Sequence, residues 1–148
     1  METAFGKRLD RVRQASPLVH CISNLVTAND CANIVLAAGA SPIMADAPEE
    51  VREITALSRA LCLSLGTPNP RKADAMFLAG RKAAELGLPV VFDPVGVGAS
   101  AYRQEVARKL LQDIPLTVLR CNASELQTLS GQSLVSRGVD AGKAPELE

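Results

Sequence analysis

Short apolar runs alternate with longer segments of helical spacing along most of the chain, and this alternation limits the fold more than any single motif does. The runs at residues 18–23, 42–45, 61–65, 90–92 and 116–119 read as strands. They are nearly continuous in apolar residues, the pattern of strands buried on both faces. Between and after them, residues 28–38, 49–59, 71–86 and 102–111 read as helices, and 124–129 as a short helix ended by Gly131. In the longest helix Met76, Ala79, Ala83 and Leu86 recur at helical spacing. A leading helix over residues 1–14 sets Phe5, Leu9 and Val12 on one face. Strands joined through helices predict a three-layer α/β/α fold, with a mostly parallel sheet of about five strands, right-handed crossovers and helices on both faces. Residues 132–148 are polar, with only Leu134, Val135 and Val139 as strand material, so a weak strand or hairpin and a loose tail are expected there.

One domain accounts for 148 residues, and 47% hydrophobic residues suffice for a packed core. Sixteen basic and sixteen acidic residues cancel without forming a long run of either sign, which argues against nucleic acid or an anionic membrane as partner. Phe5, Phe77, Phe92 and Tyr102 are too few to stack bases. Cys21, Cys31, Cys62 and Cys121 form no C-x-x-C pair and fall largely in apolar runs, so they read as reduced core thiols. No segment approaches the roughly 20 apolar residues of a membrane span, and the N-terminus has no signal-type apolar region, which points to the cytoplasm.

Three polar segments sit where a strand gives way to a helix: residues 19–30, 92–100 and 120–125. Loops at the carboxyl ends of parallel strands form the ligand crevice, so these three predict one small-molecule site. Asn122 and Glu125 have the spacing of a capping box. Arg120 beside them adds a guanidinium suited to polyphosphate, and a nearby carboxylate suits magnesium, which takes one or two carboxylates together with phosphate oxygens and water. Asp93, at the mouth of a buried strand, is expected to face the crevice because an unpaired buried carboxylate is costly. Residues 93–98 also fit a plain Gly/Pro turn. Asp93 and Glu125 can together serve one magnesium and phosphate network. Thr27 and Asp30 look like a second capping box, which leaves Asn24 free for a substrate hydroxyl or for a turn. His20 has no acidic or nucleophilic neighbour and reads as a satisfied core group rather than a base. Met44 either fills the core or lines an apolar pocket, and Gly66-Thr67 is either a tight turn or a ligand-facing backbone. The Ser-His-Asp order, H-E-x-x-H, the Walker loop and G-x-G-x-x-G are all absent.

Taken with Ala38-Gly39-Ala40-Ser41-Pro42-Ile43-Met44-Ala45, these loops in this order resemble the hydroxyethylthiazole kinase family, part of the ribokinase-like superfamily, over residues 17–142. The resemblance implies ATP-dependent phosphorylation of the primary alcohol of 4-methyl-5-(2-hydroxyethyl)thiazole in thiamine biosynthesis, with magnesium. It implies Met44 and Asn24 as substrate contacts, Arg120 and Asn122 as ATP contacts, and Asp93 and Glu125 as the metal and phosphate acids. It further implies a homotrimer with sites between subunits, in which Met44 serves a neighbour's pocket. Residues 1–148 would be the N-terminal portion of a single kinase domain. The anion cradle and the catalytic group would lie in a C-terminal half beyond Glu148, so no catalytic residue is expected in this chain. Two alternatives stay open: a non-catalytic remnant that binds a ligand or another subunit, and a related kinase for another small alcohol such as a hydroxymethylpyrimidine. Within the matched part, Cys121 stands where the family usually has Gly, and Ser64 where Asn is usual.

Overall fold

A computed structural model describes residues 3–131, so the weak strand or hairpin expected within 132–148 lies outside the described residues. The elements run α1 (Ala4–Ala15), β1 (Leu18–Ile22), α2 (Ala28–Ala37), β2 (Ser41–Met44), α3 (Val51–Leu57), β3 (Ala60–Ser64), α4 (Pro70–Glu85), β4 (Val90–Asp93), α5 (Ala101–Asp113), β5 (Val118–Leu119) and α6 (Ala123–Leu129). A 3-10 turn at Val97–Ala99, which apolar periodicity did not reveal, precedes α5. It begins after Gly96 at φ 68°, a left-handed conformation that glycine adopts without a Cβ clash.

Among the described residues the five strands are all parallel, in the order β2-β1-β3-β4-β5. The chain steps outward from β1 to β2, then crosses back over β1 to build β3, β4 and β5. The direction therefore reverses between β1 and β3, and in open α/β sheets the ligand crevice opens outside the carboxyl ends of strands at such a switch point.

The two faces of the sheet differ. Leu61, Leu63, Val90 and Phe92 are fully buried, and they join Ile22, Met76, Ala79 and Leu110 in one core. His20 lies on this same face, where its Nδ1 is 2.9 Å from Thr55 Oγ1 of α3 and its Nε2 is 2.8 Å from the Ala45 carbonyl. It is a satisfied core histidine, as its sequence context suggested. On the opposite face Cys21, Cys62 and Val91 stand side by side, and covering is sparser. Neither α1 nor α2 contributes a buried residue, and Phe5 is 75% exposed. The apolar stripe expected on the leading helix is thus not a core stripe. Cys21 is buried but Cys31, Cys62 and Cys121 are only partly so; all four are free thiols, and the expectation of four core thiols is corrected to one.

Local chemistry sets the helix starts. Asn69 accepts from the Lys72 amide at 2.9 Å, with Pro70 in the first helical turn of α4, and Ser100 accepts from the Arg103 amide at the start of α5. Leu86 falls just beyond α4 and is half exposed, leaving Met76, Ala79 and Ala83 as the buried stripe.

Candidate functional site

Side chains lace the carboxyl ends of β1, β3, β4 and β5 together, loop to loop. The buried Lys72 ammonium donates to the carbonyls of Ser23, after β1, and of Gly66, after β3. Burial lowers the Lys72 pKa from its ordinary value, opposed by the charge of Asp46. Thr67 Oγ1 accepts from the Leu25 amide at 3.1 Å, joining the same two loops. Arg103 Nη1 donates to the Leu65 carbonyl at 3.0 Å and to the Val95 carbonyl at 2.9 Å, which ties the loop after β3 to the loop after β4. Glu125 then holds the β4 loop to α6, its Oε1 accepting from the Gly96 amide at 3.0 Å.

Asn24, Val26, Thr27, Gly66, Thr67, Val95 and Arg103 line a cavity of about 430 Å³ at the β1/β3 switch point. Thr67 sits at φ 45°, a left-handed backbone unusual for a β-branched residue and a strain of the kind that collects at ligand sites. Gly66 is required by close approach: a Cβ there would lie 2.3 Å from Asn24 Cβ.

Asn24 lines this crevice, and of the two roles its sequence left open it makes the local turn contact, while the second capping box is the expectation that fails. Thr27 makes no side-chain cap, so the Thr27/Asp30 box does not form. Asn24 Oδ1 instead accepts from the Thr27 amide at 2.9 Å. A short polar side chain can reach the amide three residues on, and here Asn24 reaches it from outside the helix. Met44 is 40% exposed at the edge strand and lines a separate concavity of about 170 Å³ with Cys21, Leu25 and Ala28. Asn24 and Met44 therefore do not share one cavity.

At the other end of the sheet, Asp93 and Arg120 meet at 2.8 Å between Oδ2 and Nη1. The Arg120 side chain is 74% exposed, so most of its guanidinium stays open to an anion. Asp93 Oδ1 is buried without a partner among the described residues, an acceptor of the kind a hard cation takes. Glu125 is engaged differently. It is 7% exposed, and its Oε2 accepts from the Asn122 amide while Asn122 Oδ1 accepts from the Glu125 amide, both at 2.9 Å. The capping box is complete, and Asn122 Oδ1 also accepts from Ser124 Oγ at 3.0 Å. Among the described residues no three His, Cys, Asp or Glu side chains converge as a metal cage. Three strand spacings, about 14 Å, separate Met44 from Asp93 across the sheet.

Lys72 and Arg103 escaped sequence reasoning. A cation in the first turn of a helix reads as a solvated surface group, and only the loops' free carbonyls, invisible in sequence, turn it inward.

Comparison with known proteins adds a second line of observation. The Hydroxyethylthiazole kinase family matches residues 9–147. A hydroxyethylthiazole kinase from Desulfovibrio desulfuricans is 52% identical over 139 residues, covering 94% of this chain and 49% of the relative. One from Methanoculleus marisnigri is 53% identical over 134 residues, covering 90% and 48%. The solved structure of the hydroxyethylthiazole kinase protein from Pyrococcus horikoshii OT3 superposes with a TM-score of 0.81 at 42% identity, over 84% of this chain and 49% of that one. The chain thus spans about half the length of the curated relatives it matches. Among the described residues no helix is long and apolar enough to cross a membrane.

Proposed function

Since the chain belongs to the hydroxyethylthiazole kinase family, we propose that the whole protein to which it corresponds transfers the γ-phosphate of ATP to the primary alcohol of 4-methyl-5-(2-hydroxyethyl)thiazole, in the cytoplasm. The observation that carries this is the laced switch-point crevice, with Asn24 at one end and the Asp93/Arg120 pair across the mouth of the sheet. Such a cavity suits a small ring with an alcohol arm.

In this reading the Asn24 amide group orients the thiazole alcohol, and Lys72 and Arg103 hold the crevice walls at fixed width. Phosphoryl transfer depends on positioning and on charge stabilisation, so rigid walls matter more than a reactive group. The free N–H groups of Arg120 take nucleotide phosphate, and Asn122 supports them by fixing the start of α6. Asp93 Oδ1 would hold magnesium, with Glu125 keeping the neighbouring loop in place. Magnesium, when bound, neutralises charge on the nucleotide phosphates. Met44 of β2, Ile34 of α2, and Leu25 and Val26 of the loop before α2 are exposed apolar side chains, which favours a homo-oligomer, a trimer by analogy with the family, in which Met44 reaches a neighbour's substrate.

The test is titration of the purified chain with the thiazole alcohol, followed by amide NMR shifts and by mass detection of the phosphate ester after addition of magnesium and ATP. Shifts at Asn24, Gly66 and Thr67 are expected, with a weaker response to a hydroxymethylpyrimidine. Shifts elsewhere, or a stronger response to the pyrimidine, would reassign the substrate. Binding without product would leave to this segment the ligand contacts alone.

A further inference from the structure

Cys21 of β1 and Cys62 of β3 are register partners on adjacent parallel strands, so their side chains leave the same face of the sheet. It is the sparsely covered face. Cys21 is buried and Cys62 is partly open to solvent. Adjacent strands stand about 4.8 Å apart, within the roughly 4.4–6.8 Å between Cα atoms that a disulfide spans. The Cβ atoms of such a pair keep about the same separation, wider than the roughly 3.5–4.5 Å of a relaxed bridge. A bridge here would be strained, and strained bridges are the readily reduced ones. The thiols are also unequal. The neighbouring Cys21 thiol holds the Cys62 thiol below its usual range, against desolvation and the charge of Asp93, while Cys21, whose Sγ–H donates to the Val19 carbonyl at 3.8 Å, is pushed above it.

We infer that Cys21 and Cys62 are a reversible redox pair, converted by peroxides into a strained disulfide across β1 and β3. Cys62 thiolate attacks a peroxide oxygen and the O–O bond breaks, giving Cys62 sulfenic acid and, after proton uptake, water. Cys21 sulfur then attacks the sulfenic sulfur; the S–S bond forms, the S–O bond breaks, and the leaving hydroxyl takes the Cys21 proton as a second water. Two thiols and one hydrogen peroxide thus give one disulfide and two waters. The bridge draws β1 toward β3 beside Met44, the other register partner of Cys21, with which Cys21 shares the smaller concavity.

The experiment treats the full chain with hydrogen peroxide, then unfolds it in urea, caps free thiols with N-ethylmaleimide and maps the digest by mass spectrometry. A Cys21–Cys62 linked peptide is expected, with an intact mass about 2 Da lower that glutathione restores. The Cys31→Ser/Cys121→Ser double variant should form the same bridge, and Cys62→Ser should leave Cys21 free for capping. A first bridge through Cys31 or Cys121 would overturn the inference. So would Cys62 advancing to sulfinic acid while Cys21 stays a thiol, or a bridge that resists glutathione.

Discussion

Replacing Glu125 with Gln keeps the shape of the side chain and removes its charge, which separates a structural strut from a metal ligand. Both carboxylate oxygens accept from backbone amides, Oε1 from Gly96 and Oε2 from Asn122, in a residue 7% exposed. Gln offers one oxygen, so one bond is kept and the amide nitrogen must face the other backbone N–H. A hydrogen bond to a charged group is worth about 1.5–3 kcal/mol, and an opposed buried donor costs about 1–3 kcal/mol more. These overlap, because the loop after β4 can relax, and the expected net loss is about 2–4 kcal/mol. With a urea m-value of about 2 kcal/mol/M for a chain of this size, the midpoint falls by about 1–2 M. Urea unfolding followed by circular dichroism reads this directly, and the shift should be the same with and without magnesium. A midpoint within about 0.3 M of the wild type would refute the strut. A loss seen only when magnesium is present would make Glu125 a metal ligand first.

Asp93→Asn should behave in the opposite way: the ion pair lost involves an Arg120 side chain that is 74% exposed, worth at most about 1 kcal/mol, so stability should hold while magnesium-dependent ATP binding, read by NMR titration, weakens at least about tenfold. Burial lowers the His20 pKa below its ordinary value, so between that folded value and about 6.5 the unfolded chain binds the extra proton, and stability should fall as pH drops through this window. His20→Asn should flatten that slope in urea midpoints measured between pH 7 and 5. Gly66→Ala introduces a Cβ 2.3 Å from Asn24 Cβ and 2.8 Å from its Nδ2, where glycine is not needed for a positive φ, so the cost is steric. Overpacking of about 1–3 kcal/mol is expected, with faster hydrogen exchange at the Thr27 amide as Asn24 is displaced and thiazole binding weakened in step.

Apolar periodicity carried the central elements because β1, β3 and β4 place residues in the core and α4 and α5 pack a buried stripe against them. Met76, Ala79 and Ala83 show this most plainly. Where burial does not decide, sequence was a poorer guide. Phe5 continues the leading helix's stripe but finds no core beneath it. Thr27 and Asp30 have capping-box spacing, yet the chain turns earlier, and Asn24 takes the amide instead. The difference lies in tertiary placement: Asn24 is held against Gly66, forty-two residues away, and local spacing holds no record of that contact. Asn122 and Glu125 were legible because both bonds of their box lie within four residues.

The same distinction explains why the crevice's builders were hidden while the candidate ligand groups were not. Acidic, amide and guanidinium side chains at strand ends announce themselves by residue type, since such groups are out of place beside a buried sheet. Lys72 and Arg103 do not, because their partners are main-chain carbonyls of Ser23, Gly66, Leu65 and Val95, and every residue has a carbonyl. Those four carbonyls belong to loops with no sheet partner to satisfy them. A long cationic side chain from the following helix is a compact solution that leaves the loop surface free for a ligand. It also makes the width of the crevice a property of α4 and α5 rather than of the loops themselves. Substitutions that shift either helix, far from any ligand, should therefore alter binding before they alter the fold.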